Sequence, residues 1–189
     1  MKRNAHLHEV LLQPGQWWFG GGATRVRTVL GSCVAVTLWH PRRQIGGMCH
    51  YLLPRRGSAD RAAPEAPGSA GDTSDGRYGD EVLMQMVRAV ASTGSTPVEY
   101  EAKLFGGGRM FRSLDARGTA QVPDRNVQAG RDLLLQHGFA CKAEHVGGYG
   151  HREVVLDVPD GQVWLRHTPL RTTPPGPDER LISALGDLT

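Results

Sequence analysis

Three cysteines in 189 residues are too few, and odd in number, for a disulfide framework. The expectation is a chain whose thiols stay reduced in a cytoplasmic setting. No apolar run approaches the ~18 residues of a membrane span, and the first residues lack the apolar stretch of a secretory signal. Neither Cys-x-x-Cys nor His-x-x-x-His spacing occurs, which argues against a zinc site. No Gly-x-Ser-x-Gly elbow is present, which disfavours a serine hydrolase. The glycine triplet Gly106, Gly107, Gly108 is not followed by Gly-Lys-Ser/Thr, so a tight turn explains it better than a phosphate loop. Lysine and arginine outnumber aspartate and glutamate by 22 to 19, a net charge of +3. The surplus is scattered, with no basic stripe to argue for nucleic acid.

What is there reads as one domain. The length suits a single core and is too short for two full domains with a linker. We expect that domain to run to about residue 168, with a mobile surface loop at about 55–77 and a proline-rich tail at 169–189. The loop could gate a site or be a tolerated insertion, and insertion is the plainer explanation. The tail carries Leu181, Ile182, Leu185 and Leu188 at roughly helical spacing, yet a helix this short is marginal alone. Strands are expected at 26–29, 34–39, 44–53, 98–105, 141–146, 153–158 and 162–167, the last two joined by the turn Pro159, Asp160, Gly161. Helices are expected from Asp80, an N-cap by position, to Gly94, and from about Asn126 to His137.

The chemistry concentrates in Gly31, Ser32, Cys33 and, seventeen positions on, His50. If the strands at 34–39 and 44–53 pair as a hairpin, Cys33 falls opposite His50 with Cβ atoms about 4.5–5.5 Å apart. A histidine at that separation can stabilise a thiolate and later protonate a departing amine or activate water. Backbone N–H groups around Ser32 and Cys33 could meet a developing oxyanion. Two readings stand at this point: a nucleophile with its base, or a small buried cysteine behind a glycine. Cys49, next to His50 on an extended strand, should face the opposite way as a core residue. Cys141 is also expected to be buried. His145 and His151 flank glycines and are expected at the surface beside a turn. His6 and His8 alternate without further ligands to make a metal site.

Six motifs in order resemble the CheD chemoreceptor glutamine deamidases of bacterial chemotaxis. They are Leu30 to Val36 (Leu-Gly-Ser-Cys-Val-Ala-Val), Gly46 to Pro54 (Gly-Gly-Met-Cys-His-Tyr-Leu-Leu-Pro), Arg77 to Asp80 (Arg-Tyr-Gly-Asp), Ala102 to Gly107 with Met110 and Phe111, Arg125 to Val127, and Gly147, Gly148 before Arg152. The resemblance covers about residues 8–168. It implies an α+β fold, a mixed β-sandwich with helices packed outside. It also implies a protein-glutamine deamidase that converts glutamines of methyl-accepting chemoreceptors to glutamate and releases ammonia through a Cys-His thioester. By motif, Cys33 is the nucleophile and His50 the base and acid. The family's third polar residue is a threonine shortly before the cysteine; Thr28 is the nearest candidate, though a β-branched strand residue needs no catalytic explanation. No metal or organic cofactor is implied. The implied partners are the receptors and a CheC-type phosphatase, and the alternative function is a binding module that regulates that phosphatase. Lys103, Arg109, Arg125 and Asn126 lie in the motifs, but membership does not separate substrate contacts from structural hydrogen bonds, so they stay outside the catalytic set.

Overall fold

The computed structural model describes residues 7–57, 75–110 and 121–170. Its strands are β1 (His8–Leu11), β2 (Trp17–Gly20), β3 (Thr24–Leu30), β4 (Val34–His40), β5 (Ile45–Tyr51), β6 (Glu101–Gly106), β7 (Ala140–Val146), β8 (His151–Asp157) and β9 (Gln162–Thr168). Helices α1 (Gly79–Ser92) and α2 (Gln121–Gln136) and a 3-10 turn at Pro97–Glu99 complete it. Most of the expected loop and nearly all of the tail lie outside the described residues.

Two mixed sheets form, ordered β1-β3-β8-β9 and β2-β5-β4-β6-β7. Burial patterns explain the layering. β3 and β8 alternate buried and open positions, the signature of a half-buried sheet with one wet face. Their inner residues Val26, Leu30, Val154 and Leu156 meet Ala35, Met48 and Phe105 of the second sheet in one core. β4 is buried on both faces. Its other side chains, Val34, Val36 and Leu38, join Cys49 and Tyr51 in a second core beneath Val82, Met86 and Val90 of α1 and Leu133 and Leu134 of α2. The order is therefore sheet, sheet, helices, and the α+β expectation is borne out.

Glycines in β5 make this stacking possible. A Cβ on Gly46 would sit 2.3 Å from the Leu38 carbonyl oxygen, and one on Gly47 would sit 2.2 Å from that of Trp18. Backbones approach there more closely than any side chain permits.

Four expectations need correction. β4 and β5 pair with His50 opposite Ala35, so the register is displaced by two residues and Cys33 is diagonal to His50. The turn accounts for this: Pro41 to Gln44 form four linking residues, the Gln44 N–H closes onto the His40 carbonyl at 2.9 Å, and Gln44 takes a left-handed φ of 53°. No glycine or asparagine marks that position in the sequence. Cys141 is exposed, because β7 is an edge strand paired only with β6. Asp80 lies inside α1; Tyr78 is the N-cap and makes no side-chain cap. α2 begins at Gln121 rather than Asn126, since Pro123 is compatible with a first helical turn.

Candidate active site

Gly31, Ser32 and Cys33 link β3 of one sheet to β4 of the other, so the turn carrying Cys33 is where the chain crosses between sheets. The two glycines after β6 clamp it: Gly107 N–H donates to the Cys33 carbonyl at 2.8 Å and Gly108 N–H to that of Gly31 at 2.8 Å. Gly106 sits at a φ of 115°, and a Cβ there would lie 2.2 Å from the Cys33 carbonyl oxygen. His50 comes from β5 on the face shared with Ala35 and Met48, and Thr28 comes from the inner face of β3. Site chemistry thus lies at the seam of the two sheets.

Thr28 and His50 are in direct contact, with Oγ1 to Nδ1 at 2.7 Å and both side chains buried. The same hydroxyl donates to the Leu12 carbonyl at 2.9 Å. A hydroxyl has one hydrogen and a carbonyl can only accept. Thr28 therefore spends its proton on Leu12 and receives the Nδ1–H of His50. That fixes the tautomer, and Nε2 carries a lone pair. Among the described residues the buried Nε2 has no hydrogen-bond partner, the Cys33 sulfur included. Burial pushes the imidazole down to about 4, against a smaller upward pull from the Leu12 carbonyl. His50 is neutral at pH 7.

Cys33 is half-buried and packs beside the core between the sheets. Burial raises its thiol, while the Ser32 hydroxyl and its own backbone N–H pull the other way less strongly. A resting thiolate–imidazolium pair is thus not favoured; both groups are neutral. Diagonal neighbours across an antiparallel pair lie about 7–8 Å apart, within reach of long side chains. Hydrogen bonds of this kind are often long before substrate binds. Cys49 faces the helices, fully buried, with its thiol pushed up to about 12.

Three neighbours were not assigned a role from sequence. The Leu12 carbonyl carries no side-chain signal. Asn126, fully buried, donates from Nδ2 to the carbonyls of Leu52 at 2.7 Å and Ser32 at 3.3 Å. Its signal was a polar residue on the apolar stripe continued by Gly130, Leu133 and Leu134. Arg152, 1% exposed, donates from Nε to His145 Nδ1 at 2.8 Å and from Nη2 to the Gly147 carbonyl. It packs where a Cβ on Gly108 would come within 3.0 Å of Nη1. His145 must keep Nδ1 unprotonated to accept that bond, and burial, aided by Arg152 and His167, lowers its pKa. It is half-buried against Arg152 and the His167 ring, whereas His151 is exposed as expected. Among the described residues no group of three or more His, Cys, Asp or Glu converges as a metal site. Among them, too, no helix is long and apolar enough to cross a membrane.

A thiol at a sheet crossover, with an imidazole held in one tautomer by a threonine, is an arrangement that could serve nucleophilic acyl transfer. Residues 58–167 match the family described as CheD chemotactic sensory transduction. Among curated relatives, the "Probable chemoreceptor glutamine deamidase CheD 3" of Dechloromonas aromatica is 43% identical over 182 residues, covering 96% of this chain and 97% of its own length. The "Probable chemoreceptor glutamine deamidase CheD" of Pseudomonas syringae pv. tomato is 39% identical over 174 residues, covering 92% and 97%. The chain belongs to the CheD family, as its motifs indicated. A solved structure, the hypothetical protein YfiH of Bacillus licheniformis, overlays 68% of this chain and 49% of its own with a TM-score of 0.39 at 14% identity.

Proposed function

We propose that this chain is a protein-glutamine deamidase acting on methyl-accepting chemoreceptors, with Cys33 as nucleophile, His50 as base and acid, and Thr28 as the residue that fixes the His50 tautomer. The carrying observation is the Thr28 hydroxyl bridge, which commits Nδ1 as donor and leaves a buried lone pair on Nε2. Family membership and the deamidase names of relatives at about 40% identity support the substrate class.

The steps follow from neutral partners. As the Cys33 sulfur attacks the side-chain amide carbon, its proton passes to Nε2, and the imidazolium so formed stays bonded to Thr28 through Nδ1–H. N–H groups near Ser32 and Cys33 meet the oxyanion. When the tetrahedral species collapses, the C–N bond breaks, Nε2–H protonates the leaving nitrogen, and ammonia departs from a thioester. Water then gives its proton to Nε2 and attacks the thioester carbon; the C–S bond breaks, the proton returns to sulfur, and a receptor glutamate remains. Each step uses side chains and backbone N–H groups of the protein, and water.

A cytoplasmic setting and a CheC-type phosphatase as a further partner belong to the same proposal, on the family resemblance. So does the division into one domain to about residue 168 and a tail beyond it. The test is peptide mass spectrometry of a receptor cytoplasmic fragment incubated with the protein and with Cys33→Ala and His50→Ala variants. A gain of about 1 Da at defined glutamines, the change from amide to acid, lost in both variants, is expected. A folded protein with a reactive Cys33 that leaves receptor glutamines untouched would favour the phosphatase-regulating module instead.

A further inference from the structure

We infer that Asn126 is a positioning residue that ties the Cys33 turn to the strand carrying His50. The inference rests on the catalytic reading of Cys33 and His50 given above. The hairpin ladder between β4 and β5 ends at the pair Val34 and Tyr51. The next hydrogen-bonded pair outward would be Ser32 and Leu53, but the Leu53 N–H donates to the Arg77 carbonyl instead, at 3.1 Å. Asn126 stands in for the missing rung. Its Nδ2 carries two hydrogens, and they go to two carbonyls, Leu52 at 2.7 Å and Ser32 at 3.3 Å. Ser32 immediately precedes the nucleophile, and Leu52 follows the base by two residues. A third bond locks the same point from the helix side: the Tyr51 hydroxyl donates to the Asn126 backbone carbonyl at 2.7 Å.

The orientation of the carboxamide is set by chemistry, since two carbonyl acceptors admit only its nitrogen. Oδ1 is left buried with no hydrogen-bond partner among the described residues. An asparagine is a poor helix former, and an unpaired buried acceptor costs stability. A leucine here would satisfy the apolar stripe of α2 without either penalty, but it would leave the Ser32 and Leu52 carbonyls unpaired. What asparagine supplies is a fixed spacing just beyond the point where the β4–β5 ladder stops at Val34 and Tyr51. A displacement of about 1 Å between reacting groups can cost about 10²-fold in rate. The role is thus to set the Cys33-to-His50 separation, with no contact to substrate required.

Two variants, Asn126→Ala and the near-isosteric Asn126→Asp, test this beside Cys33→Ala. Thermal unfolding is followed for each, and kinetics are measured below the transition. Asn126→Asp keeps the shape of the side chain and turns an oxygen toward two carbonyls, so the bonds to Ser32 and Leu52 are lost. For both variants we expect kcat for ammonia release to fall at least about 10-fold with KM changed less than about threefold. A purely structural residue would lower the melting temperature and leave kcat and KM of the folded protein at wild-type values. That result overturns the inference. If Asn126→Ala does not fold, Asn126→Asp decides alone by the same two readouts. Should Cys33→Ala keep deamidase activity, the catalytic reading fails, and the inference with it. A dead Cys33→Ala beside fully active Asn126 variants refutes the inference alone.

Discussion

Replacing Thr28 by valine keeps the shape of the side chain and removes one oxygen. In the structure that oxygen serves two buried groups, the Leu12 carbonyl at 2.9 Å and His50 Nδ1 at 2.7 Å. Leaving a buried polar group unpaired costs about 1–3 kcal/mol, so two of them predict a loss of roughly 2–6 kcal/mol in unfolding free energy. The kinetic consequence is separate. Without the hydroxyl nothing holds the proton on Nδ1, and the ring loses the tautomer and the orientation that present the Nε2 lone pair. Positioned acid–base catalysis contributes about 10²–10⁴-fold, and we expect kcat to fall by roughly 10²-fold, about 2.7 kcal/mol of barrier. Thr28→Ser keeps the hydroxyl and should retain most of the rate. The assay is ammonia release from a receptor fragment at a temperature where unfolding curves show each variant folded. A Thr28→Val protein that has lost stability yet turns over within about twofold of wild type would refute the tautomer argument.

His50 makes the site dependent on pH in a defined direction. Its pKa falls from 6.5 to about 4 on folding, so the unfolded chain binds a proton that the folded one refuses between these values. Stability is therefore full above pH 6.5 and declines by about 3 kcal/mol on the way to pH 4, which urea titrations at pH 7, 5.5 and 4.5 will read. The acid limb of kcat/KM should fall near pH 4 rather than 6.5, and a limb at the usual histidine value would contradict the burial argument. Cys49→Ala should cost about 1–2 kcal/mol of stability and leave kcat unchanged, because that thiol faces the helices; a dead folded variant would contradict the face assignment. Gly106→Ala places a Cβ 2.2 Å from the Cys33 carbonyl oxygen at a φ of 115°, so thermal melting should report a loss of about 3 kcal/mol or more. A melting temperature like that of wild type would contradict the close approach.

Much of the layering was legible because burial alternates. Residues 26, 28 and 30 point one way along β3, as do 33, 35, 48 and 50 in the next sheet, and parity alone placed Cys49 on the far face. Parity also survived the register error: a displacement of two residues left Cys33 and His50 on one face while lengthening their separation. The error arose in the turn, whose four linking residues are 41–44 rather than 40–43 and end on a left-handed Gln44 without the glycine that usually announces such a position. Exposure of Cys141 was illegible because sheet order is a long-range property, and nothing local marks β7 as an edge. The contact of Thr28 with His50 joins two sheets and was reached only through the family resemblance. Leu12 contributes a backbone carbonyl, which every residue has. Asn126 and Arg152 were visible as polar residues among apolar ones, but the partners of Asn126 are carbonyls of distant segments, and those of Arg152 are a ring nitrogen and a carbonyl brought to it by the turn between β7 and β8, which no spacing in the chain reveals.

The account stands on an acyl-enzyme at Cys33, and interception by hydroxylamine tests it most directly. Receptor fragment, protein and increasing hydroxylamine are incubated together, and the target glutamines are read by peptide mass spectrometry. A thioester partitions between water and the added nucleophile, so glutamine hydroxamate should appear at the sites that otherwise become glutamate, rise with hydroxylamine, and vanish in Cys33→Ala. Glutamate formed at every hydroxylamine concentration with no hydroxamate, or deamidation that persists in Cys33→Ala, would contradict it.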